Sequence, residues 1–349
     1  MNRPAWHFSL QRTEDELERA LQFDGVLNDG RAQLWEAMRY AVLGGGKRMR
    51  AQLATECAYV VGGENAAPRA LPAACAIEFI HAYSLIHDDL PAMDNADLRR
   101  GLPSTHRKFG DALAILAGDA LLTLAFEILC KDAAPEEMAT RLRATQIIAQ
   151  AAGEAGMVGG QAIDIDWSHK PDARIDGEML LAMHSMKTGA LLRASCEAGA
   201  VLGGGDQNSI KALRDYGIHL GRAFQITDDL LDVNGNVQDT GKQASDESNN
   251  KITAPAIFGL EKSRALACEA ADAAIASLAA FGSSAQTLKD LAQAPTGMPP
   301  PMILPKVLRS GATPYSCCAP PSETRKPVIT SSKISSAPCL VHSARRCSR

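Results

Sequence analysis

The chain has 349 residues, of which 46% are hydrophobic and 22% are charged. That length permits one large core or two modest ones. The formal net charge of −4 is unevenly distributed, because residues 295–349 carry +7 and so leave −11 for the residues before them. A body with this acidic balance is a poor nucleic-acid binder, so we expect no nucleic-acid partner.

Apolar residues recur at helical spacing along most of the chain, whereas the apolar/polar alternation of half-buried strands is nearly absent. Short stretches rich in Gly, Pro, Asp or Asn separate these segments. The pattern predicts an all-α, single-domain bundle of long, mostly antiparallel helices around a deep central cavity. The predicted helical segments span residues 31–43, 70–87, 112–130, 137–152, 176–202, 208–233 and 253–280.

The character of the sequence changes near Ala294. Ten of the 18 prolines and four of the nine cysteines lie beyond it, among Ser, Thr and basic residues without periodicity. We therefore expect a folded domain over residues 1–294 and a disordered tail over residues 295–349. The tail is either a genuine extension or the product of a shifted reading frame, and we favour the second.

The first residues of the sequence do not have the pattern of a secretory signal. Residues 1–10 contain no apolar run long enough for a secretory signal, and no segment reaches the roughly 18 uninterrupted apolar residues of a membrane span. We expect a cytoplasmic protein without a membrane span.

The strongest functional signal is an acidic cluster within HDDLPAMD, residues 87–94. On an unbroken helix Asp88 and Asp94 would lie about 120° apart, but Pro91 can end the helix and let the chain bring Asp94 back. Clustered carboxylates suit Mg²⁺, which is usually bound through carboxylates together with substrate phosphates. The alternative for an isolated pair of acids is a solvated helix end.

A second acidic cluster, Asp228-Asp229-Leu230-Leu231-Asp232, favours the metal hypothesis. Asp228 and Asp232 are four residues apart and so lie on one helical face, where their mutual repulsion destabilises a helix unless a cation is supplied. Two such clusters facing each other across a cavity would hold several Mg²⁺ ions and a diphosphate.

Basic residues would complete a diphosphate site. In Gly44-Gly45-Gly46-Lys47-Arg48-Met49-Arg50, a flexible turn precedes Lys47 and Arg50, which we expect to share a helical face. A glycine-rich turn alone is more often a helix C-cap, and single basic residues are usually solvated. The further candidate cations are Arg99, Arg100, Lys187 and Lys242.

Taken together, these segments resemble the trans-isoprenyl diphosphate synthases, and most closely the bacterial farnesyl diphosphate synthases, over about residues 8–293. The resemblance implies the isoprenoid synthase fold, with a deep central cavity, and a homodimer as the assembly. The motifs that carry it are GGGKRMR (44–50), HDDLPAMD (87–94), LRRG (98–101), GGQAID (159–164), KTG (187–189), FQITDDLLD (224–232), and TGK through NNKIT (240–253).

The resemblance also implies roles for individual residues. Three acids match the Mg²⁺ ligands of the family, which binds about three ions: Asp88, Asp94 and Asp228. The neighbouring acids match supporting positions: Asp89, Asp229 and Asp232. The positions that match binding of isopentenyl diphosphate are Lys47, Arg50, His81 and Arg100. Those that match binding of the allylic diphosphate are Arg99, Lys187, Thr188, Gln225 and Lys242.

The implied reaction condenses isopentenyl diphosphate with dimethylallyl and then geranyl diphosphate. Ionisation of the allylic substrate is followed by attack of the double bond and loss of a proton to the released pyrophosphate, so no protein nucleophile is needed. The catalytic positions that the resemblance implies are Lys187, Thr188, Gln225, Arg99 and Arg100. The basic residues stabilise the departing pyrophosphate, and the region of Lys187 and Thr188, with Gln225, presents oxygens towards the cation.

Tyr83 lies five residues before Asp88, and a bulky ring there would stop a growing chain. The pair Tyr83-Ser84 resembles farnesyl-producing bacterial members, so we expect farnesyl diphosphate as the product. The alternatives are a geranyl or geranylgeranyl diphosphate synthase, or a weakly active or non-catalytic subunit because of the altered C-terminus. A terpene cyclase is disfavoured, because its second metal motif uses Asn, Ser and Glu.

Overall fold

The computed structural model describes residues 10–22, 30–131, 133–170, 174–234 and 252–293. Lys242 and the predicted tail over residues 295–349 lie outside the described residues. The described residues form helices joined by loops, with one short hairpin, and the prediction of an all-α bundle is confirmed.

The helices are numbered in chain order, with short turns of other helical types between some of them. The hairpin consists of β1 (Leu98–Arg99) and β2 (Leu102–Pro103), and a π-helical turn covers Ser185–Gly189. The α-helices are α1 Leu10–Ala20, α2 Gly30–Leu43, α3 Met49–Gly62, α4 Leu71–Asp88, α5 Thr105–Phe109, α6 Asp111–Cys130, α7 Met138–Ala152, α8 Met157–Ser168, α9 Gly177–His184, α10 Ala190–Leu202, α11 Gln207–Asn234, α12 Ala254–Phe258, α13 Leu260–Ser277 and α14 Gln286–Ala292.

Helices α3, α4 and α10 form the centre of the bundle, and most of their side chains are buried. A helix that is apolar on all sides is stable only when other helices surround it. Accordingly, α10 packs against α3, α7 and α11, and α4 packs against α3 and α6.

Small residues bring α3 and α10 into close contact. A Cβ atom added to Gly199 would lie 2.1 Å from the carbonyl oxygen of Ala54, and one added to Gly203 would lie 2.8 Å from Cα of Ala58. Because no side chain fits between the backbones there, this alanine- and glycine-rich pairing fixes how closely the two helices approach.

Two predicted segments are interrupted in the structure. The segment 176–202 contains the π-helical turn, and the segment 253–280 breaks at Gly259, which has a φ of 81° and separates α12 from α13. Glycine adopts this backbone conformation at little cost. The periodicity alone did not predict α1, α3 and α8.

Among the described residues, two helices are long and apolar enough to cross a membrane, judged by length and composition alone. They are the helical stretch Ala67–Asp88, with 67% of its apolar window buried inside the protein, and α6, with 39% buried. A third candidate arises only if the bent pair Leu260–Ser277 and Ala279–Ala292 is counted as one span. The sequence prediction of no membrane span therefore stays a prediction.

Candidate active site

The first acidic cluster lies where α4 ends. The helix stops at Asp88, three residues before Pro91, and the backbone N–H of Asp94 then donates to the carbonyl oxygen of Asp88 at 2.9 Å. The chain therefore turns back as the proline predicts. Burial raises the pKa of Asp88 to about 6, the charge of Lys187 opposes this shift, and the charge of Asp94 adds to it.

Asp89 faces away from this cluster and binds Arg99. It is 2% exposed, and Nε of Arg99 lies 3.1 Å from each of its carboxylate oxygens, while Nη2 of Arg99 also donates to Oδ1. A two-pronged pair of this kind fixes the guanidinium in direction as well as in position. Asp89 thus holds the hairpin that carries the basic pair against the end of α4.

The hairpin was not predicted from the sequence. Arg99 pairs with Leu102, and the two residues between them, Arg100 and Gly101, have φ values of 55° and 78°. Positive φ at both positions is typical of the tight turns that join two twisted strands. Nη1 of Arg100 donates to the carbonyl oxygen of Gly45, so the hairpin also contacts the glycine-rich loop.

The prediction that Lys47 and Arg50 share a helical face is wrong. Helix α3 begins only at Met49, and Arg48 before it has a φ of 49°, in the left-handed region. Lys47 therefore leaves the loop in a direction that helical spacing does not give. Burial lowers the pKa of Lys47, and the charge of Asp228 in the second acidic cluster opposes that shift.

Arg48 is a structural residue within this loop. Its guanidinium donates to Oε1 of Glu14 at 2.8 Å and to the carbonyl oxygen of Val42 at 2.6 Å, and lies 3.6 Å from Oε2 of Glu78. Glu78 also accepts the backbone N–H of Ala51 at 3.2 Å. These buried contacts join α1, the loop, α3 and α4, and so position the basic residues on either side of Arg48.

The second acidic cluster lies on α11, which is continuous through Asp228 and Asp232, so their shared face is confirmed. Asp229 is 5% exposed and accepts from Nε2 of Gln225 at 3.0 Å and from the backbone N–H of Ala254 at 2.7 Å. Burial raises the pKa of Asp229 to about 6, and these two hydrogen bonds oppose the shift. Asp229 therefore connects α11 with the start of α12.

Helix α8 and the π-helical turn lie between the two acidic clusters. Nε2 of Gln161 donates to Oδ1 of Asp88 at 2.9 Å, and Nζ of Lys187 lies 2.5 Å from Oδ2 of Asp164. On the other side, Oγ1 of Thr188 donates to Oε1 of Gln225 at 2.7 Å. Lys187 thus contacts α8, which also binds Asp88, whereas Thr188 contacts α11, which carries Asp229.

Gly160, which has no side chain, allows α8 and the π-helical turn to pack closely. A Cβ atom on Gly160 would lie 2.3 Å from the backbone nitrogen of Lys187, so the π-helical turn packs directly on α8. π-Helical turns frequently occur at functional sites. Gln161 and Asp164 belong to the GGQAID motif, but sequence reasoning assigned them no role, because one amide and one acid on a helix resemble a solvated surface.

A cavity of about 370 Å³ adjoins the first cluster. Its lining includes Asp88, Gln161, Lys187 and Thr188, and most of its wall is formed by α4 and α8, with Leu191 of α10. The other predicted site residues that line it are Arg50, His81, Tyr83 and Ser84.

His81 lies among several positively charged arginine side chains near the cavity. Burial, and then the nearby guanidinium groups of Arg50, Arg100 and Arg99, lower the pKa of His81 well below its ordinary value of 6.5. His81 is therefore neutral at pH 7 and can donate one hydrogen bond without adding charge.

Within the described residues, no three His, Cys, Asp or Glu side chains are grouped so that they could hold a metal ion by themselves.

Comparison with known proteins gives the family. The Polyprenyl synthetase family matches residues 31–287. The chain is 45% identical to a farnesyl diphosphate synthase of Geobacillus stearothermophilus over 253 residues, which cover 72% of this chain and 84% of the relative. It is 46% identical to large subunit 1 of a heterodimeric geranylgeranyl pyrophosphate synthase of Arabidopsis thaliana over 238 residues, 67% of this chain and 64% of the relative.

Solved structures agree. An FPP/GFPP synthase from Zymomonas mobilis superimposes with a TM-score of 0.70 at 42% identity, covering 81% of this chain and 94% of that one. The chain belongs to the polyprenyl synthetase family. It is a prenyltransferase of the trans-isoprenyl diphosphate synthase type, as its motifs indicated.

Proposed function

We propose that the chain condenses isopentenyl diphosphate head to tail with dimethylallyl and then geranyl diphosphate, and releases farnesyl diphosphate and pyrophosphate. The observation that carries the proposal is the set of contacts around the π-helical turn. On one side the turn packs on α8, whose Gln161 binds Asp88, and on the other side Thr188 donates to Gln225, which donates to Asp229. Asp88, Lys187 and Thr188 line one cavity, and Thr188 connects them to the helix that carries the second acidic cluster. Carboxylates near basic side chains suit a diphosphate with bound Mg²⁺.

The metal donors fit Mg²⁺. Asp88, Asp94 and Asp228 offer only oxygen atoms, and Mg²⁺ normally combines one or two carboxylates with water and substrate phosphates. A site without three grouped protein ligands is consistent with that preference, since the diphosphate supplies the rest. Bound Mg²⁺, about three ions by the family resemblance, would neutralise the diphosphate as the allylic carbon–oxygen bond breaks.

The basic residues would orient the two substrates. Arg99, which Asp89 holds rigidly, and Lys187, which Asp164 holds, are proposed to bind the departing pyrophosphate together with Lys242. Lys47, Arg50, His81 and Arg100 are proposed to bind isopentenyl diphosphate.

The polar oxygens near the π-helical turn would face the allylic cation. Oγ1 of Thr188 donates to Oε1 of Gln225, so the lone pairs of this hydroxyl oxygen stay available. The double bond of isopentenyl diphosphate then forms the new carbon–carbon bond, and the pyrophosphate takes the proton that is lost. The apolar walls exclude water, which would otherwise convert the cation to an alcohol.

Product length is the finer part of the proposal, because relatives named for farnesyl and for geranylgeranyl products are similarly identical to this chain. Tyr83, 7% exposed, lines the cavity next to Ser84 and supports a fifteen-carbon limit. Geranyl and geranylgeranyl synthases remain the alternatives.

The deciding experiment incubates the purified chain with Mg²⁺, dimethylallyl diphosphate and radiolabelled isopentenyl diphosphate, followed by chromatography of the products. A fifteen-carbon diphosphate supports the proposal, whereas ten- or twenty-carbon diphosphates select the alternatives. A hydrocarbon would indicate a cyclase, and no product would indicate a non-catalytic subunit. A parallel truncation after residue 294 tests whether the tail weakens turnover.

We also propose a homodimer in the cytoplasm. Helix α6 exposes Ile115 by 44% and Leu116 by 52%, although its apolar character is high enough for a buried helix. A second copy would cover this face. Light scattering after gel filtration should give twice the chain mass, and Leu116→Glu should give the monomer. Sedimentation with lipid vesicles instead would indicate that a membrane covers α6.

A further inference from the structure

We propose that His87 and Gly118 are positioning residues for product length, because they fix the ring of Tyr83 at the cavity. The inference rests on the synthase function proposed above and deepens it. It assigns a role in chain-length control to helix α6, which lies behind α4 and contributes no residue to the lining of the cavity described above.

The first observation is the contact between the two rings on α4. Tyr83 and His87 are one helical turn apart, and both line the cavity. Their ring centroids lie 5.8 Å apart at an interplanar angle of 75°, which is the edge-to-face arrangement that aromatic rings favour. The position of the His87 ring therefore limits where the Tyr83 ring can lie.

The second observation is the anchoring of His87 on α6. Its Nε2 atom lies 3.1 Å from the carbonyl oxygen of Ile115 and 4.0 Å from Oδ1 of Asp119. A carbonyl only accepts, so this hydrogen bond requires the proton on Nε2. The imidazole is thus held in one orientation between its own helix and the next.

The third observation is the glycine opposite the ring. A Cβ atom on Gly118 would lie 2.1 Å from Nε2 of His87, 2.6 Å from Cδ2 and 2.8 Å from Cε1. Any side chain at residue 118 would displace the tip of the imidazole from α6. The ring also lines the cavity and contacts the ring of Tyr83, so we infer that a displacement away from α6 moves it towards Tyr83 and the cavity.

The two positions therefore predict opposite effects. His87→Ala removes the ring on which Tyr83 packs, so Tyr83 gains space to move aside and longer products form. Gly118→Ala pushes the imidazole towards Tyr83, so the cavity shortens and ten-carbon product accumulates. A role limited to helix packing would lower stability in both variants but would not separate the products in this way.

The experiment measures the ratio of ten-, fifteen- and twenty-carbon diphosphates, normalised to total product, for the full chain with Mg²⁺. We expect His87→Ala to raise the ratio of twenty- to fifteen-carbon product about 10-fold and Gly118→Ala to raise the ten-carbon share by a similar factor, as expected for changes of one side chain in an apolar pocket. Gly30→Ala is the matched control, because its Cβ would have nothing within 4 Å.

A double variant tests whether His87 acts through Tyr83. In a Tyr83→Ala background, His87→Ala should change the product ratio no further, since residues in one contact are not additive. This comparison also decides the matter if Gly118→Ala fails to fold. Independent effects of the two substitutions, equal ratios in all variants, or a shift of both single variants in the same direction would overturn the inference while the synthase function stands. A wild-type chain that makes no prenyl diphosphate would overturn both.

Discussion

Gln161 donates a hydrogen bond from Nε2 to Oδ1 of Asp88 at 2.9 Å, across 73 residues of sequence. The amide binds one carboxylate oxygen of Asp88, a residue that lines the cavity. An outer contact of this kind orients a metal-binding carboxylate without touching the metal.

Gln161→Ala should therefore lower the turnover rate, because Asp88 would bind Mg²⁺ less well. Loss of an outer-shell partner typically costs 10- to 100-fold in metal affinity or activity, so we expect about 10-fold lower kcat/KM and a Mg²⁺ requirement shifted to higher concentration. Titration of turnover with Mg²⁺ measures both. The exposed Gln146→Ala, also on a helix, is the control. An unchanged Mg²⁺ titration would contradict a role for Gln161 in orienting Asp88.

The two acidic clusters should act as one unit. Asp88→Asn and Asp228→Asn are each expected to lower kcat on the order of 100-fold, as when one electrostatic group is removed from a preorganised site. The double variant should lose clearly less than the product of the two effects, because groups that act on the same diphosphate are not additive. Single-turnover rates for the four proteins complete the cycle. Strictly multiplicative losses would show that the clusters serve separate ligands.

The sequence predicted the helices whose apolar pattern is long and regular. The segment 112–130 agrees with α6, Asp111–Cys130, to within one residue, and 137–152 agrees similarly with α7. It did not predict α3, because that helix is buried nearly all round and so shows no amphipathic period. The hairpin escaped prediction because its strands have two residues each.

Within the site, the sequence indicated the acids and bases but not the contacts that orient them. Arg48 was read only as part of a basic motif, yet its partner Glu14 is 34 residues away. Asp89 was assigned a supporting role, and the structure gives it a specific partner in Arg99. Such pairings depend on how helices cross, which spacing along one helix does not reveal.

His81 should make stability depend on pH. Its folded-state pKa lies below the ordinary value of 6.5, so below pH 6.5 the unfolded chain binds a proton that the folded chain does not. The free energy of unfolding should therefore fall as the pH falls from 6.5, by up to about 1.4 kcal/mol per pH unit, until the folded-state pKa is reached. Above pH 6.5 this group contributes nothing to the dependence.

The measurement compares denaturant unfolding of wild type and His81→Gln between pH 7 and pH 5, about the range over which His titrates. Comparison with a variant is needed because Asp88 and Asp229, with pKa values raised to about 6, contribute with the opposite sign. The loss on acidification should be smaller in His81→Gln, whereas the exposed His169→Gln should behave as wild type. Equal slopes in all three proteins would contradict the assignment.

Arg48 should be the charged residue whose loss costs most stability in the glycine-rich loop. Its side chain is 3% exposed and that of Glu78 is 5% exposed, so Arg48→Met would leave a buried carboxylate without its cation. Removing one partner of a buried ion pair typically costs about 3–5 kcal/mol, and we expect a loss in that range. Denaturant unfolding at pH 7 measures it, with the exposed Arg69→Met expected within about 0.5 kcal/mol of wild type.

The double variant Arg48→Met, Glu78→Leu separates two causes of that loss. If the cost comes from the unpaired carboxylate, removing Glu78 as well should restore part of the stability, because apolar replacements of a buried pair are often tolerated. If the cost comes from the lost contacts to Glu14 and to the carbonyl oxygen of Val42, the double variant should be no more stable than Arg48→Met. Since Lys47 and Arg50 flank Arg48, the restored protein should still show a raised KM for isopentenyl diphosphate, because the loop that carries both cations has lost the guanidinium that fixed it.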